Sequence, residues 1–259
     1  GGNVTATKVY DGTTIAYPNY TGGGSVSGVD GDTLTGCVTG ASYNTSSAGN
    51  KSLTYNVALA SNNSAWVVSG YAGTVNPTST VANITQAPLV IQANDAADFV
   101  TLSAASGSFA GVSYSGFVGS ESASALSGSL SYGGTSQGAT NAGTGYTIVP
   151  SGLSSSNYAI TYTNGTLDIA KANATVTANS STSTYNGANQ TVSGFTASGL
   201  VGGESASVLG GSLSYGGTSQ GAINAGTGYT IVPSGLTSSN YTISYANGAL
   251  TINPAAVTV

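Results

Sequence analysis

Charged residues are scarce in this sequence. Only 4% of its 259 residues are charged, whereas an ordinary soluble domain carries about a quarter. The three basic residues are all lysines (Lys8, Lys51 and Lys171), and with eight acidic residues they give a net charge of -5. Nucleic acids and anionic membrane surfaces are bound through clustered Lys and Arg, so we expect neither as a partner.

The side chains on which most enzymes and metal sites depend are also missing. The sequence has no His, no Met and a single Cys, Cys37, so it offers neither a Ser/His/Asp or Cys/His arrangement nor a multi-thiolate site. We therefore predict that the protein is not an enzyme and has no cofactor and no metal. Cys37 is predicted to be a small buried apolar residue rather than a reactive thiol. No apolar run reaches the roughly 18 residues of a membrane span, so we expect no such span.

A long internal repeat dominates what is present. Residues 128–138 recur at 211–221, an offset of 83, and between Gly119 and Ile169 about four positions in five are identical to those 83 residues later. A period of this kind indicates tandem structural units. The predicted units are an N-terminal segment (1–86, a more distant β module), a first repeat (87–170), a second repeat (171–253) and the first strand of a further copy (254–259).

Within a repeat the local pattern is that of strands. Apolar residues alternate with Thr or Ser, the period of a half-buried β-strand, and hydroxyls stand where surface charges are usual. The Asn-Gly steps at 164–165 and 247–248 favour tight hairpins. Gly119–Leu126 and Gly202–Leu209 are the segments for which a helical turn is predicted. The strands predicted in the second repeat are Ala174–Ala178, Gly211–Tyr215, Tyr229–Val232, Tyr241–Tyr245 and Ala249–Ile252.

These residues resemble a known family, the MBG ("mostly β-grasp") repeats of very large bacterial surface proteins. The N-terminal segment, through Tyr10-Asp11-Gly12 and Gly28–Thr33, is similar to the related YDG repeat. The second repeat carries the same set of MBG elements as the first. In the first repeat they are Gly116–Gly119, Glu121–Leu126, Ala142–Ile148, Ser156–Tyr158 and Asn164–Ile169.

The resemblance implies both a fold and a setting. The expected fold is mostly β: tandem β-grasp-like modules of about 83 residues, each with at most one short helix, arranged end to end. The implied protein is a filamentous-haemagglutinin-like adhesin, exported by two-partner secretion and secreted or held at the surface of a Gram-negative bacterium. In such proteins these repeats resemble the stalk rather than the tip.

Several acidic residues invite a functional interpretation. Glu121 and Glu204 are equivalent across the 83-residue offset, and we interpret them as a helix-start charge or a turn hydrogen bond rather than as catalytic carboxylates. Asp11, Asp30 and Asp32 could contribute oxygen ligands to calcium, but they do not form a complete loop, so plain turns are favoured.

The aromatic residues leave the function open between three hypotheses. Tyr158 and Tyr162, like Tyr241 and Tyr245, point to one face of a strand, which favours packing over sugar stacking. Trp66 is the single Trp and the one candidate ligand-contact residue. The first hypothesis is a spacer whose partners are neighbouring repeats of the same chain. The alternatives are a module that binds exopolysaccharide and a filament subunit that joins other copies of itself by strand addition.

Overall fold

The computed structural model describes residues 3–21, 26–27, 33–61, 79–100 and 110–258. This part of the chain is built of strands, and the prediction of a mostly β chain with tandem modules is confirmed. Its helical segments are single 3-10 turns in or beside the two predicted positions, one in the first repeat and two in the second. They are Ala123–Ala125, Val201–Gly203 and Ala206–Val208. Among the residues described, no helix has the length and hydropathy needed to cross a membrane.

Two sheets are described in the N-terminal segment. Four strands lie in the order β2-β1-β7-β5, with β1 and β7 parallel, and three lie in the order β3-β4-β6. The strands are β1 (Asn3–Val9), β2 (Asn19–Thr21), β3 (Val26–Ser27), β4 (Thr33–Tyr43), β5 (Gly49–Asn50), β6 (Leu53–Ser61) and β7 (Ser79–Thr85).

The two repeats share one topology of a three-stranded and a four-stranded sheet. The strands of the first repeat are β8 (Ala87–Ala93), β9 (Ala96–Phe99), β10 (Val112–Ser115), β11 (Ser127–Gly133), β12 (Gly143–Ser154), β13 (Tyr158–Thr163) and β14 (Gly165–Ala170). Those of the second are β15 (Ala172–Ala178), β16 (Ser181–Thr184), β17 (Phe195–Ser198), β18 (Gly210–Gly216), β19 (Gly226–Thr237), β20 (Tyr241–Ala246) and β21 (Gly248–Asn253). The sheets are β10-β8-β13 and β11-β12-β14-β9 in the first repeat, and β17-β15-β20 and β18-β19-β21-β16 in the second.

Alternation of apolar and polar residues places the strands, as the sequence predicts. In β8 every second residue from Ala87 to Ala93 is buried and the residues between them are exposed. The same alternation holds in β14, and β21 differs only in that Thr251 is half-buried rather than exposed. All five strands predicted in the second repeat are confirmed within β15, β18, β19, β20 and β21.

The two predicted Asn-Gly hairpins are wrong. β13 and β14 lie in different sheets, as do β20 and β21, so neither pair is hydrogen-bonded across its Asn-Gly step. The chain instead crosses from one sheet to the other there. A Cβ added at Gly248 would lie 2.6 Å from the carbonyl oxygen of Ala178, so glycine is needed at this step for close backbone approach.

Residues 254–258, predicted as part of a first strand, are not in a strand. The strands that open the two repeats each pair with later strands of their own repeat: β8 pairs with β10 and β13, and β15 with β17 and β20.

Paired hydroxyls stabilise the surface where other proteins use charges. The Thr135 N–H donates to the Thr147 hydroxyl at 3.0 Å, and the Thr147 N–H donates to the Thr135 hydroxyl at 2.8 Å. Thr218 and Thr230 form the same reciprocal pair in the second repeat. These bonds satisfy backbone donors beside the Gly-rich turns without any ion pair.

The contacts divide the described residues into two compact units. The first takes its members from 1–93, 112–131 and 150–163, and the second from 94–111, 132–149 and 164–259. The division passes through the first repeat, whose strands β8, β10 and β13 pack with the N-terminal segment. One hydrophobic cluster of the first unit accordingly joins buried side chains from before and after residue 87, among them Tyr10, Ile84, Leu89, Ile91 and Tyr158.

Candidate functional site

In the first unit, a carboxylate accepts hydrogen bonds from two tyrosines. Glu121 lies just before the 3-10 turn at 123–125, Tyr158 opens β13, and Tyr10 directly follows β1. The Tyr10 hydroxyl donates to Oε1 of Glu121 at 2.6 Å, and the Tyr158 hydroxyl donates to Oε2. The Tyr158 oxygen in turn accepts the N–H of Val118 at 3.0 Å. One acidic side chain therefore ties the N-terminal segment to the first repeat.

The two phenols are buried, and their environment keeps them protonated. Tyr10 is 5% exposed and Tyr158 is 2% exposed, and their rings meet edge to face with centroids 5.5 Å apart. The hydrogen bond to Glu121, followed by burial, raises the pKa of Tyr10 from 10.0 to about 12. Burial, followed by the hydrogen bond to Glu121, raises the pKa of Tyr158. Both hydroxyls thus remain donors at neutral pH, which suits a structural contact.

Tyr10 is positioned by the turn that follows it. Asp11 forms an ion pair with Lys8 at 2.6 Å and accepts the Thr13 N–H at 2.9 Å, and Gly12 has a positive φ of 75°. Burial opposes ionisation of Asp11, but the bonds from Lys8 and Thr13 outweigh it and lower the pKa of this carboxyl. Asp11 therefore fixes the Tyr10-Asp11-Gly12 turn, in agreement with the interpretation of a plain turn.

An equivalent pair stands in the second repeat. The Tyr241 hydroxyl donates to Oε2 of Glu204 and accepts the N–H of Val201 at 3.0 Å. Burial, followed by the bond to Glu204, raises the pKa of Tyr241. In both repeats the Tyr follows its Glu by 37 residues.

A side-chain amide also makes a contact at each of the two boundaries between segments. The Oδ1 of Asn157 accepts the N–H of Ala48 in the N-terminal segment at 3.0 Å. At the next boundary, the Oδ1 of Asn240 accepts the N–H of Ala142 at 3.0 Å, and its Nδ2 donates to Oδ1 of Asn141 at 3.0 Å. The Asn of each Ser-Asn-Tyr step thus binds the backbone of the preceding segment.

The turn that presents each Asn is itself stabilised. The Ser155 hydroxyl accepts the N–H groups of Asn157 and Tyr158 at 3.1 and 3.2 Å. Ser238 does the same for Asn240 and Tyr241. Because two backbone donors share one hydroxyl, the Asn and the Tyr project from a fixed turn.

The second tyrosine of each strand stabilises the same region. Tyr162 shares a face with buried Tyr158, as predicted, since every second residue of β13 from Tyr158 is buried or half-buried and the residues between are exposed. Its hydroxyl accepts the N–H of Leu153 at 2.7 Å and donates to the carbonyl of Leu153 at 2.8 Å. Tyr245 makes the same pair of bonds with Leu236.

The structure describes some of the candidate residues from the sequence but not others. Glu121 and Glu204 accept from tyrosines, whereas Ser122 and Ser205 occupy the caps of the 3-10 turns and no acid lies in the first turn, so a helix-start charge is wrong. The alternative, a turn hydrogen bond, is found in the backbone, since the N–H groups of Glu121 and Glu204 donate to the carbonyls of Val118 and Val201 at 3.1 Å. Trp66, Asp30 and Asp32 lie outside the described residues, as does the side chain of Cys37. Within the part of the chain that is described, no group of three or more His, Cys, Asp or Glu could hold a metal ion.

The sequence alone did not reveal the hydrogen-bond partners of the tyrosines and asparagines in this site. It missed the bond from Tyr10 to Glu121 and the roles of Asn157 and Asn240. One signal was available, because the 37-residue spacing from Glu to Tyr recurs in both copies. The Asn contacts give no comparable signal, since each accepts from a backbone N–H that any residue other than proline would supply.

Comparison with protein families finds a match over both repeats. The model of the MBG domain (YGX type) matches residues 89–168 and 174–251, together more than half of the chain. Comparisons with curated proteins and with solved structures find no match.

Proposed function

The chain belongs to the MBG domain (YGX type) family, and on that premise we propose that it is a structural spacer of an extracellular bacterial adhesin or fibre. MBG repeats are non-catalytic structural domains found in extracellular surface proteins. In this proposal the repeats hold adhesive parts of the parent protein away from the cell and so support attachment and biofilm formation. The resemblance to filamentous-haemagglutinin-like adhesins leads us to extend the proposal to a parent protein at the surface of a Gram-negative cell, exported by two-partner secretion.

The observation that carries the proposal is the repeated contact between consecutive segments. A spacer transmits position only if each module is fixed to the next. Asn157 and Asn240 bind the backbone at Ala48 and Ala142, and Tyr10 donates to Glu121. The two neutral Asn bonds contribute about 0.5–1.5 kcal/mol each and the bond to the charged Glu121 about 1.5–3 kcal/mol, which together favour one orientation of neighbours.

The low charge also suits a spacer at a crowded surface. Only 4% of the residues are charged, and hydroxyl-bearing residues such as Thr135 are exposed instead. Long-range repulsion between copies is then small, and packing side by side changes little with salt.

Small-angle X-ray scattering tests the spacer directly. A compact chain of this length has a radius of gyration of about 18 Å, whereas a row of three modules reaches on the order of 100 Å, with a radius of gyration near 30 Å. We expect the larger value, and a constant increase in maximum dimension when a copy of 171–253 is added. A radius near that of a compact chain would overturn the spacer.

Exposed aromatic rings support the polysaccharide-binding alternative. Tyr17 is 72% exposed and Phe99 is 66% exposed, and such rings stack on sugars. Calorimetric titration with bacterial exopolysaccharides, comparing the chain with Tyr17→Ala and Trp66→Ala variants, tests this function. Binding that either substitution abolishes would favour it over the spacer.

The outer strands of the three-stranded sheets are the basis of the third possibility, a filament subunit. β10 and β13 are the outer strands of one three-stranded sheet, and β17 and β20 are those of another. An unpaired edge can accept a strand from another chain. Filaments seen by electron microscopy that lengthen with protein concentration would favour this function.

A further inference from the structure

One face of the second repeat combines exposed aromatic and aliphatic groups. We call it the Tyr185 face; it surrounds a surface depression of about 360 Å³ lined by Tyr185, Asn224, Ala225, Pro254, Ala255 and Val257. Tyr185 is 42% exposed and Val257 is 85% exposed, and Ala225 is also exposed.

Strand register shows which residues of the other segments occupy the same place. Gly49 pairs with Ile84, Gly143 with Ile169 and Gly226 with Ile252. The residue before each glycine is an alanine, so the equivalent positions are Ala48, Ala142 and Ala225.

The aromatic position is equivalent by the same reasoning. The N–H of Tyr10 donates to Thr85, that of Val100 to Ala170 and that of Tyr185 to Asn253, at 2.8 to 3.0 Å. Each acceptor follows the paired isoleucine by one residue. Tyr10, Val100 and Tyr185 therefore hold one position in three related folds.

The faces equivalent to the Tyr185 face in the N-terminal segment and in the first repeat are each covered by the next segment of the chain. Ala48 donates to Asn157 and Ala142 donates to Asn240, each at 3.0 Å. Tyr10 is 5% exposed and Val100 is 2% exposed. On the third face, the aromatic residue and the alanine are both exposed.

We propose that the Tyr185 face is a docking surface for one further MBG repeat. The Asn of its Ser-Asn-Tyr step would accept the Ala225 N–H, as Asn157 and Asn240 do for Ala48 and Ala142. Its Glu would accept from the Tyr185 hydroxyl, and its Tyr ring would meet Tyr185 edge to face, as Glu121 and Tyr158 do with Tyr10. Because Tyr185 carries a hydroxyl donor that Val100 lacks, we expect this junction to resemble the one at Tyr10.

This inference deepens the spacer proposal and rests on it, but a different measurement tests it. Hydrogen exchange reports whether the face is covered, whereas scattering reports the maximum dimension of the chain. The experiment uses the whole chain and an extended chain, in which a copy of 171–253 follows Asn253 directly. Exchange is resolved by NMR at the amides of Ala142 and Ala225.

In the unextended chain we expect Ala142 to exchange at least about tenfold more slowly than Ala225, because only the former is hydrogen-bonded. In the extended chain we expect Ala225 to slow by a similar factor. The matched control replaces, in the added copy alone, the Asn equivalent to Asn240 by Ala, and Ala225 should then return to fast exchange. In the extended chain, Tyr185→Val introduces the residue type found at position 100 and should keep part of the protection of the Ala225 amide. Tyr185→Ser should lose that protection.

Three results would overturn the proposal. Ala225 could exchange equally fast in both chains while the strands of the added copy are protected. Ala142 could exchange as fast as Ala225 in the unextended chain. This would contradict the premise that the bond to Asn240 protects the Ala142 amide, whether or not the added copy folds. Protection of Ala225 that rises with the concentration of the unextended chain would show instead that the face joins separate chains.

Discussion

Glu121 and Glu204 hold equivalent positions but have different numbers of partners. Glu121 accepts from Tyr10 and Tyr158, whereas Tyr241 is the tyrosine that donates to Glu204. We expect Tyr10→Phe to destabilise the first unit by about 1–2 kcal/mol, because it removes a buried bond to a charged acceptor. Urea unfolding measures this. Tyr17→Phe, at a site 72% exposed, should change stability by less than about 0.5 kcal/mol; equal effects would refute the assigned role of Tyr10.

The same tyrosine predicts a loss of stability at high pH. The pKa of Tyr10 is raised from 10.0 to about 12, so folding favours its protonated form. The stabilisation is fully present below the unfolded pKa and is lost as the pH rises through the folded pKa. The free energy of unfolding should therefore fall between pH 10 and pH 12, with a smaller fall in Tyr10→Phe. Tyr43, Tyr158 and Tyr241 also have raised pKa values, so part of the fall should remain; an identical profile in the variant would contradict the prediction.

Among the elements, the crossing from β20 to β21 depends on a missing side chain. A Cβ at Gly248 would lie 2.6 Å from the Ala178 oxygen and 3.0 Å from the Asn179 oxygen, both backbone atoms. Gly248→Ala should cost about 2 kcal/mol or more, because one of two backbones must move. Gly216→Ala is the control, since its Cβ would meet only the Val232 oxygen at 3.9 Å. Thermal unfolding of the two variants separates the effects, and comparable melting temperatures would disprove the close-approach explanation.

The strands were predictable from the sequence, but their pairing was not. Alternation specifies which residues of β15 or β21 face inward, because each strand carries its own pattern. It does not specify a partner. β8 pairs in parallel with β13, placing Ala87 opposite Tyr158, and this pairing depends on closing a long intervening chain. The Asn-Gly step predicted a local hairpin by its turn chemistry, and the preference of each strand for a different sheet overrode it.

At the scale of the whole molecule, the sequence period and the packing have different boundaries. The repeat begins near residue 87, yet Leu89, Ile91 and Tyr158 share a core with Tyr10 and Ile84. The buried clusters of the second repeat that contain Val176 and Leu250, in contrast, are built of its own residues. The first repeat therefore depends on the N-terminal segment for part of its core, whereas the second supplies these clusters itself.

Removal of residues 1–86 tests this dependence. Leu89 and Ile91 are 0% exposed, and complete burial of such a side chain contributes about 1.5–3 kcal/mol. We therefore expect the amides of β8 and β13 to lose at least about 3 kcal/mol of protection from hydrogen exchange in the shortened chain, while those of β15 and β21 keep theirs. A chain that ends at residue 170 is the matched control, and there β8 and β13 should remain protected, since the N-terminal segment is present. If β8 and β13 are equally protected in all three chains, the first repeat is stable as an independent module and the shared core contributes little.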